Sequence, residues 1–513
     1  MLFLHFFGFL IDNQFFNTNF IEQKGKFFQF WGEKLWHFKT YEVSTQPIKP
    51  MEKSTLFQLA RSFSPIEIRE VRKFLASPFF NQRQDVTLLF EHLVSGGEFT
   101  KENAWEAVFG TTSTFDEQKF RLLMSYLHSL LEQYLAVKEQ ISDKLGTQLQ
   151  LATAYRKRKM PTAFERVRKN LSKAIETQSL RNAAYHELQY LLDWEAHQVA
   201  YPQNPTDISL LRSASKSVDT AFLAKKLQIV CLLAAHQTVY KSDTEEGWEE
   251  TFVESAEQGE FASLPAIAVY LHCYRMLRNP TDEGHFHQFK SILLHNGERF
   301  TSEELHGLFI LAINYCVRRL NAGDADYYSE ALDLYKEGLA RDQLLEDGML
   351  SRFTYHNIVA IGLHVGELDW VRFFINAYKN RLERRYRESV FSFNLARLAY
   401  AERNHGHVLE LLQQANYRDP LHNLAAKTLL LKTYFELGEL DTLQSHLDAM
   451  RNYIQRKRVL GYHRTNYLNI IRYAEKLLNR IPKDSAATNA LRKAIQNEAI
   501  LSEKAFFLGL LGG

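Results

Sequence analysis

From residue 51 onward, apolar residues recur at steps of three and four, which is the spacing of one face of an α-helix. The clearest run is Phe120, Leu123, Leu127, Leu130 and Tyr134. Runs that alternate apolar and polar residues with a period of two are too short to predict a strand. The pattern therefore predicts an all-α protein.

The stretch SFSPIEIREVRKFLASPFFN carries the signals that begin and end a helix. Ser64 is a suitable N-cap, Pro65 fits the first turn, and Glu67 can complete a capping box. Pro78 disfavours helical backbone at the residue before it, so the helix is expected to end there. We interpret residues 51–145 as a helical N-terminal domain and 146–261 as a helical middle region.

The phrase GELD occurs at 366–369 and again at 438–441, and the apolar residues around it align as well. Residues 391–420 fit a copy halfway between these two, and 303–341 fit a looser fourth copy. The repeating unit is a helix, a tight turn and a second helix. We expect Gly366 and Gly438 to end the first helix in the left-handed conformation, with the acids of GELD beginning the next one.

A pair of helices has an apolar face that it cannot bury alone, and stacking the pairs buries it. The unit resembles the tetratricopeptide repeat, whose period is about 34 residues. Leu395, Ala396, Ala415 and Pro420 match family positions, whereas Val371 and its counterparts stand where the family has a small alanine.

The resemblance implies a right-handed α-solenoid over 262–480, closed by a C-terminal capping helix at 483–508 and a tail, which together make up 481–513. The N-terminal part, with its SPxExxxxxxFLxSPFFN phrase, is also similar to bacterial helical-repeat proteins that carry no known activity.

In tetratricopeptide solenoids the first helices line a concave groove, and the resemblance transfers this role to residues of three units. Asn357 and Asn394 match a family position that often hydrogen-bonds peptide backbone or a carboxylate. Arg397 and Lys432 could pair with an acid of a peptide, and aromatic residues could pack its apolar side chains. The candidate partner-binding residues are His356, Asn357, Asn394, Arg397, Tyr400, Lys432 and Phe435.

The leading functional hypothesis is a non-catalytic scaffold that holds a peptide or helix in this groove. The alternative at the same residues is that these polar groups face water and bind nothing.

Residues 155–173 contain eight lysines and arginines and one acid, Glu165. Such a strip could contact phosphates, with an affinity that falls steeply with salt. The other interpretations are an acidic protein partner and a solvated helix face balanced by acids elsewhere. The core of this alternative patch is Arg156, Lys157, Arg158 and Lys159.

Composition narrows the function only a little. The chain has 513 residues and a net charge of +2, so no global field selects nucleic acid or acidic lipid. The three scattered cysteines indicate a reducing cytoplasm and not a disulfide framework. P-loop, GxGxxG and GxSxG motifs are absent, and the adjacent or alternating His and Cys positions diverge on a helix. We therefore expect no enzyme activity, no cofactor and no metal.

The first 50 residues differ from the rest, since eleven of them are phenylalanine. The apolar run Leu2–Leu10 is too short to span a bilayer. We favour Met51 as the true start, with 1–50 as upstream sequence read through in error. The alternatives are a loose N-terminal extension and a membrane-associating tail without stable insertion.

Overall fold

The structure, a computed structural model, describes residues 54–96, 100–240, 249–414, 419–456, 463–479 and 485–512. The predictions for residues 1–50, including the start at Met51, lie outside the described residues, and so does Ala415. The described chain is almost entirely helical, which confirms the all-α class. None of its helices combines the length and the apolar character that crossing a membrane requires.

The described helices fall in chain order as follows. The first nine are α1 Thr55–Ser62, α2 Pro65–Leu75, α3 Gln84–Val94, α4 Lys101–Phe109, α5 Glu117–Ser142, α6 Lys144–Lys157, α7 Pro161–Thr177, α8 Ala183–Ala200 and α9 Ser209–Tyr240. The next eight are α10 Glu249–Glu257, α11 Pro265–Arg278, α12 Glu283–His295, α13 Ser302–Asn321, α14 Tyr327–Ala340, α15 Arg352–Val365, α16 Leu368–Tyr378 and α17 Arg387–Ala401. The last six are α18 His405–Gln414, α19 Pro420–Leu437, α20 Leu440–Arg456, α21 His463–Leu478, α22 Ser485–Asn497 and α23 Lys504–Leu510. A two-residue antiparallel hairpin of β1 Leu345–Glu346 and β2 Met349–Leu350 lies between α14 and α15.

The described chain forms two compact units. The first runs to residue 178 and also contains 187–218, and the second contains 179–186 and 219–513. Division into an N-terminal domain, a middle region and repeats stays a prediction at its finer boundaries.

In the first unit, α1 to α5 enclose one apolar core that includes the predicted run from Phe120 to Tyr134. The capping box is confirmed: the Glu67 amide donates to Ser64 Oγ at 3.3 Å, and the Ser64 amide donates to Glu67 Oε2 at 2.8 Å. The backbone and hydroxyl of Ser64, followed by Lys138, hold the pKa of Glu67 down at about 2.

In the second unit, neighbouring helices pack in pairs, among them α11 with α12, α13 with α14, α15 with α16, α17 with α18, and α19 with α20. Successive first helices also lie side by side, since α15 contacts α17 and α17 contacts α19. This is the neighbour packing that a helical repeat requires.

The turns between paired helices confirm the interpretation of GELD. Gly366 ends α15 with φ 87°, and Gly438 ends α19 with φ 72°, both left-handed. Glu367 directly precedes α16 and forms an ion pair with Lys336 of α14. At the corresponding turn after α17, Arg403 adopts φ 59° without being glycine.

The prediction of a single helix at 483–508 is wrong. The chain forms α22 and α23 there, separated by a non-helical stretch at 498–503. Tertiary contacts explain the break, because Asn469 of α21 donates to the carbonyl of Ile500 at 2.8 Å and Asn466 binds Ser502.

Candidate functional site

The predicted partner-binding residues lie on α15, α17 and α19, the first helices of three consecutive pairs. Six of them form contacts with one another or with shared neighbours, and we call these six the first-helix surface. Its members are His356, Asn394, Arg397, Tyr400, Lys432 and Phe435.

One end of the first-helix surface is centred on His356. The ring atom Nδ1 of His356 lies 2.8 Å from the side-chain nitrogen Nδ2 of Asn394. The backbone carbonyl of His356 accepts from Arg397 Nη1 at 3.3 Å. The ring also meets Phe393 and His422 edge to face, with ring centroids 5.6 and 4.9 Å apart. Burial, followed by the charge of Arg397, lowers the pKa of His356 to about 3, so this ring is neutral at physiological pH.

Asn394 is fully buried, although the resemblance places it on the groove. Its amide nitrogen also donates to the carbonyl of Val390 at 2.8 Å, and its carbonyl oxygen Oδ1 has no hydrogen-bond partner. Helix α17 therefore carries a buried side-chain amide, that of Asn394, whose oxygen accepts no hydrogen bond from the described residues.

The other end of the first-helix surface is centred on Lys432. Its ammonium lies 5.1 Å from the centre of the Tyr400 ring, a cation–π distance. The Tyr400 hydroxyl donates to Glu436, which also pairs with His405 at 3.1 Å. Burial and this carboxylate raise the pKa of Tyr400.

Lys432 and Phe435 already have an occupant, the C-terminal segment of the same chain. Glu503 Oε2 lies 3.1 Å from Lys432 Nζ, with both side chains about four-fifths buried. The Phe506 ring meets the Phe435 ring edge to face at 6.1 Å, and it lies 5.3 Å from the Lys432 ammonium. Sequence reasoning gave no signal for this contact, because Glu503 is 71 residues from Lys432 and was assigned with Phe506 to a capping helix.

Asn357 does not join the first-helix surface. It is only 3% exposed and lies against Tyr335 of α14, whose pKa is raised by burial. The structure therefore buries both asparagines that the resemblance places in the groove, and they differ only in their neighbours, Tyr335 for Asn357 and His356 for Asn394.

The alternative basic patch is also divided. Arg156 turns toward α8, where Nε donates to Glu195 Oε2 at 2.6 Å. Lys157, Arg158 and Lys159 are exposed at the turn between α6 and α7, and Lys159 has φ 57°. Three of the four cations thus face solvent together.

Two histidines meet where the sequence gave no reason to expect it. His272 of α11 and His285 of α12 approach with Nδ1 atoms 2.9 Å apart, so one ring donates and the other accepts. Burial, followed by His285, lowers the pKa of His272. Across the described ranges, no group of three or more His, Cys, Asp or Glu side chains could hold a metal ion.

The first-helix surface can do three things chemically. Lys432 and Arg397 can attract a carboxylate, Tyr400 and Phe435 can pack apolar groups, and the Lys432 ammonium can lie against an aromatic ring of a ligand. Comparison with known proteins finds no matching family model, no matching curated sequence and no matching solved structure.

Proposed function

We propose that this protein is a non-catalytic interaction scaffold that holds a peptide or helix on its first-helix surface. In this proposal the paired helices form a tetratricopeptide-like right-handed superhelix, and the surface lies on its concave face. The side-by-side packing of α15, α17 and α19 supports the proposal, since it places His356, Arg397 and Lys432 along one continuous series of helices.

The observation that carries the proposal is the way helices α19 and α21 hold residues 500–506. Asn469 donates to the Ile500 carbonyl, and Asn466 Oδ1 accepts the Ser502 amide at 2.9 Å. Lys432 then pairs with the acid at 503. Hydrogen bonds to the main chain together with contacts to individual side chains are a general means of recognising a peptide, and this segment shows both.

The three cysteines support a cytoplasmic location within the proposal. Cys231, Cys273 and Cys316 are free, buried thiols, which suits a reducing compartment. Burial raises the pKa of Cys231 and Cys316 further, so these thiols are poor nucleophiles.

The test compares tagged full-length protein with the double variant Arg397→Glu, Lys432→Glu. Proteins recovered by affinity purification are identified by mass spectrometry, and melting temperatures are measured alongside. We expect specific partners with the wild type and their loss from the double variant, whose melting temperature should fall because a second carboxylate then lies beside Glu503.

A matched control reverses the charge of an exposed lysine on α21, Lys476→Glu, which should leave the recovered partners unchanged. Equal recovery of every partner by the double variant and the wild type would refute the proposal.

A second candidate function is favoured by the exposure of Lys157, Arg158 and Lys159 at one turn. Three adjacent solvated cations could contact a nucleic-acid backbone. Labelled RNA or DNA should then shift at low salt and lose the shift when these three residues become alanine. Absence of any shift for wild-type protein at low salt would remove this alternative.

A further inference from the structure

The C-terminal segment 498–512 is held by two kinds of contact. Its anchor is apolar: Leu501, Phe507 and Leu511 are at most 5% exposed and belong to the core that α19, α20 and α21 share. Its second set of contacts is polar and aromatic, and it involves α19 and α21.

Successive residues of the segment each form a polar contact with α21 or α19. The Ile500 carbonyl accepts from Asn469, the Ser502 amide and hydroxyl bind Asn466, and the Glu503 carboxylate pairs with Lys432. One turn later Phe506 meets Phe435. The segment thus presents an acid followed three residues later by an aromatic ring, both directed at the first-helix surface.

Lys432 is the residue that the segment and the rest of the surface share. Its ammonium lies 5.1 Å from the centre of the Tyr400 ring, 5.3 Å from that of the Phe506 ring and 3.1 Å from Glu503 Oε2. A carboxylate from another molecule that paired with Lys432 would have to replace Glu503, because two carboxylates cannot both occupy this partly buried position without repulsion.

We propose that residues 498–512 are an intramolecular occupant of the first-helix surface. The partner that replaces them is a peptide of the same chemistry, with an acidic residue followed three positions later by an aromatic one. This inference rests on the function proposed above. It specifies the class of peptide that binds, and it identifies residues 498–512 as the segment that competes with that peptide.

An occupant on the same chain acts at an effective concentration in the millimolar range, so it lowers the apparent affinity of any free peptide. The apparent Kd equals the intrinsic Kd divided by the fraction of molecules in which the segment has left the surface. Weakening the contact of the segment should therefore strengthen binding of a free peptide, and this is the opposite of what loss of a structural contact alone would do.

The experiment uses full-length protein and a fluorescein-labelled peptide with the sequence EAILSEKAFFLGLLG, which is residues 498–512. Fluorescence anisotropy gives the Kd. We expect the Glu503→Lys protein to bind this peptide at least tenfold more tightly than the wild type, because the introduced ammonium group repels Lys432. The Lys432→Glu protein should lose the peptide but bind a peptide that carries the Glu503→Lys change.

Two further variants keep the test decisive. Glu503→Gln removes only the charge and should shift the Kd in the same direction by a smaller factor, even if Glu503→Lys folds poorly. Lys476→Glu makes the same charge change as Lys432→Glu at an exposed position of α21 and should bind the peptide as the wild type does.

Each outcome decides the inference. Equal Kd values for wild type, Glu503→Gln and Glu503→Lys would overturn competition by the segment. Failure of the peptide to bind any version would overturn the ligand class. In both cases the scaffold function stands if Arg397→Glu with Lys432→Glu still removes the purified partners, and it falls with the inference only if those partners are retained.

Discussion

Two buried asparagines, Asn81 in the first unit and Asn394 in the second, show how differently the two regions use polar groups. The amide nitrogen of Asn81 donates to the carbonyls of Leu75 and Arg83 at 2.9 Å each, and its oxygen accepts from the Arg83 amide. Asn394 has a donor bonded to His356 and Val390 but an acceptor without a partner. The first asparagine completes a turn, whereas the second leaves a hydrogen-bonding group unused inside the protein.

The difference extends beyond this pair. Asn81 is the one buried polar side chain among the described residues of 54–142. In the second unit, Thr354 Oγ1 and both amide atoms of Asn314 are also buried without a partner. Natural proteins rarely leave such groups unsatisfied, and they concentrate where function competes with stability. The comparison therefore shows that the hydrogen-bonding groups of Asn81 are used within its turn, whereas the described part of the second unit buries several polar atoms that have no hydrogen-bond partner there.

The largest expected effect is that of Asn81→Leu. It leaves the Leu75 and Arg83 carbonyls and the Arg83 amide without their side-chain partner, at a cost of about 2–4 kcal/mol in the free energy of unfolding. Asn394→Leu should cost less, about 1–2 kcal/mol, because it removes the unsatisfied oxygen but leaves His356 Nδ1 without its hydrogen bond. Hydrogen exchange of peptides from α2, α3 and α17 measures both. Equal losses for the two variants would contradict the comparison.

An intermediate effect concerns the pH dependence of the second unit. The pKa of His356 is depressed to about 3 in the folded protein, so the unfolded chain binds one more proton between pH 6.5 and about 3. The contribution of the neutral His356 ring to the free energy of unfolding is complete above pH 6.5 and declines as the pH falls, by about 2.7 kcal/mol at pH 4.5. His356→Gln should flatten the fall in the free energy of unfolding of α15 and α17 over this window. An unchanged pH profile in the variant would show that His356 is not the titrating group.

The smallest effect lies at the repeat turns. Gly366→Ala forces alanine into a left-handed backbone and should destabilise by about 1 kcal/mol. No atom lies within 4 Å of the added methyl group, so the cost comes from the backbone alone. Arg403→Gly at the equivalent turn should stabilise by about 0.5–1 kcal/mol for the same reason. Thermal unfolding of both variants provides the measurement, and a destabilised Arg403→Gly protein would show that its side chain contributes more than its backbone costs.

Much of the fold could be predicted because its signals are local. A capping box, a proline at a helix start and a left-handed glycine act within a few residues, so Ser64, Pro65 and Gly366 indicate helix ends directly. Apolar spacing within one helix predicted the buried run from Phe120 to Tyr134 in the same way.

The candidate site was only partly predictable. The resemblance to the tetratricopeptide repeat predicts Arg397, Tyr400, Lys432 and Phe435 on first helices, and these helices lie side by side in the structure. The resemblance also predicts Asn357 in the groove, yet burial depends on how far the adjoining helices cover a residue, and Asn357 lies against Tyr335 of α14.

The sequence by itself determined the helices, their ends and the repeating pair, because propensity, capping and apolar spacing are properties of short stretches of chain. Only the tertiary structure decided what fills the first-helix surface. Glu503 and Phe506 reach Lys432 and Phe435 where α22 has ended and Asn466 and Asn469 hydrogen-bond the non-helical stretch at 498–503. Contacts between residues so distant in the chain depend on packing in three dimensions, which the local pattern does not encode.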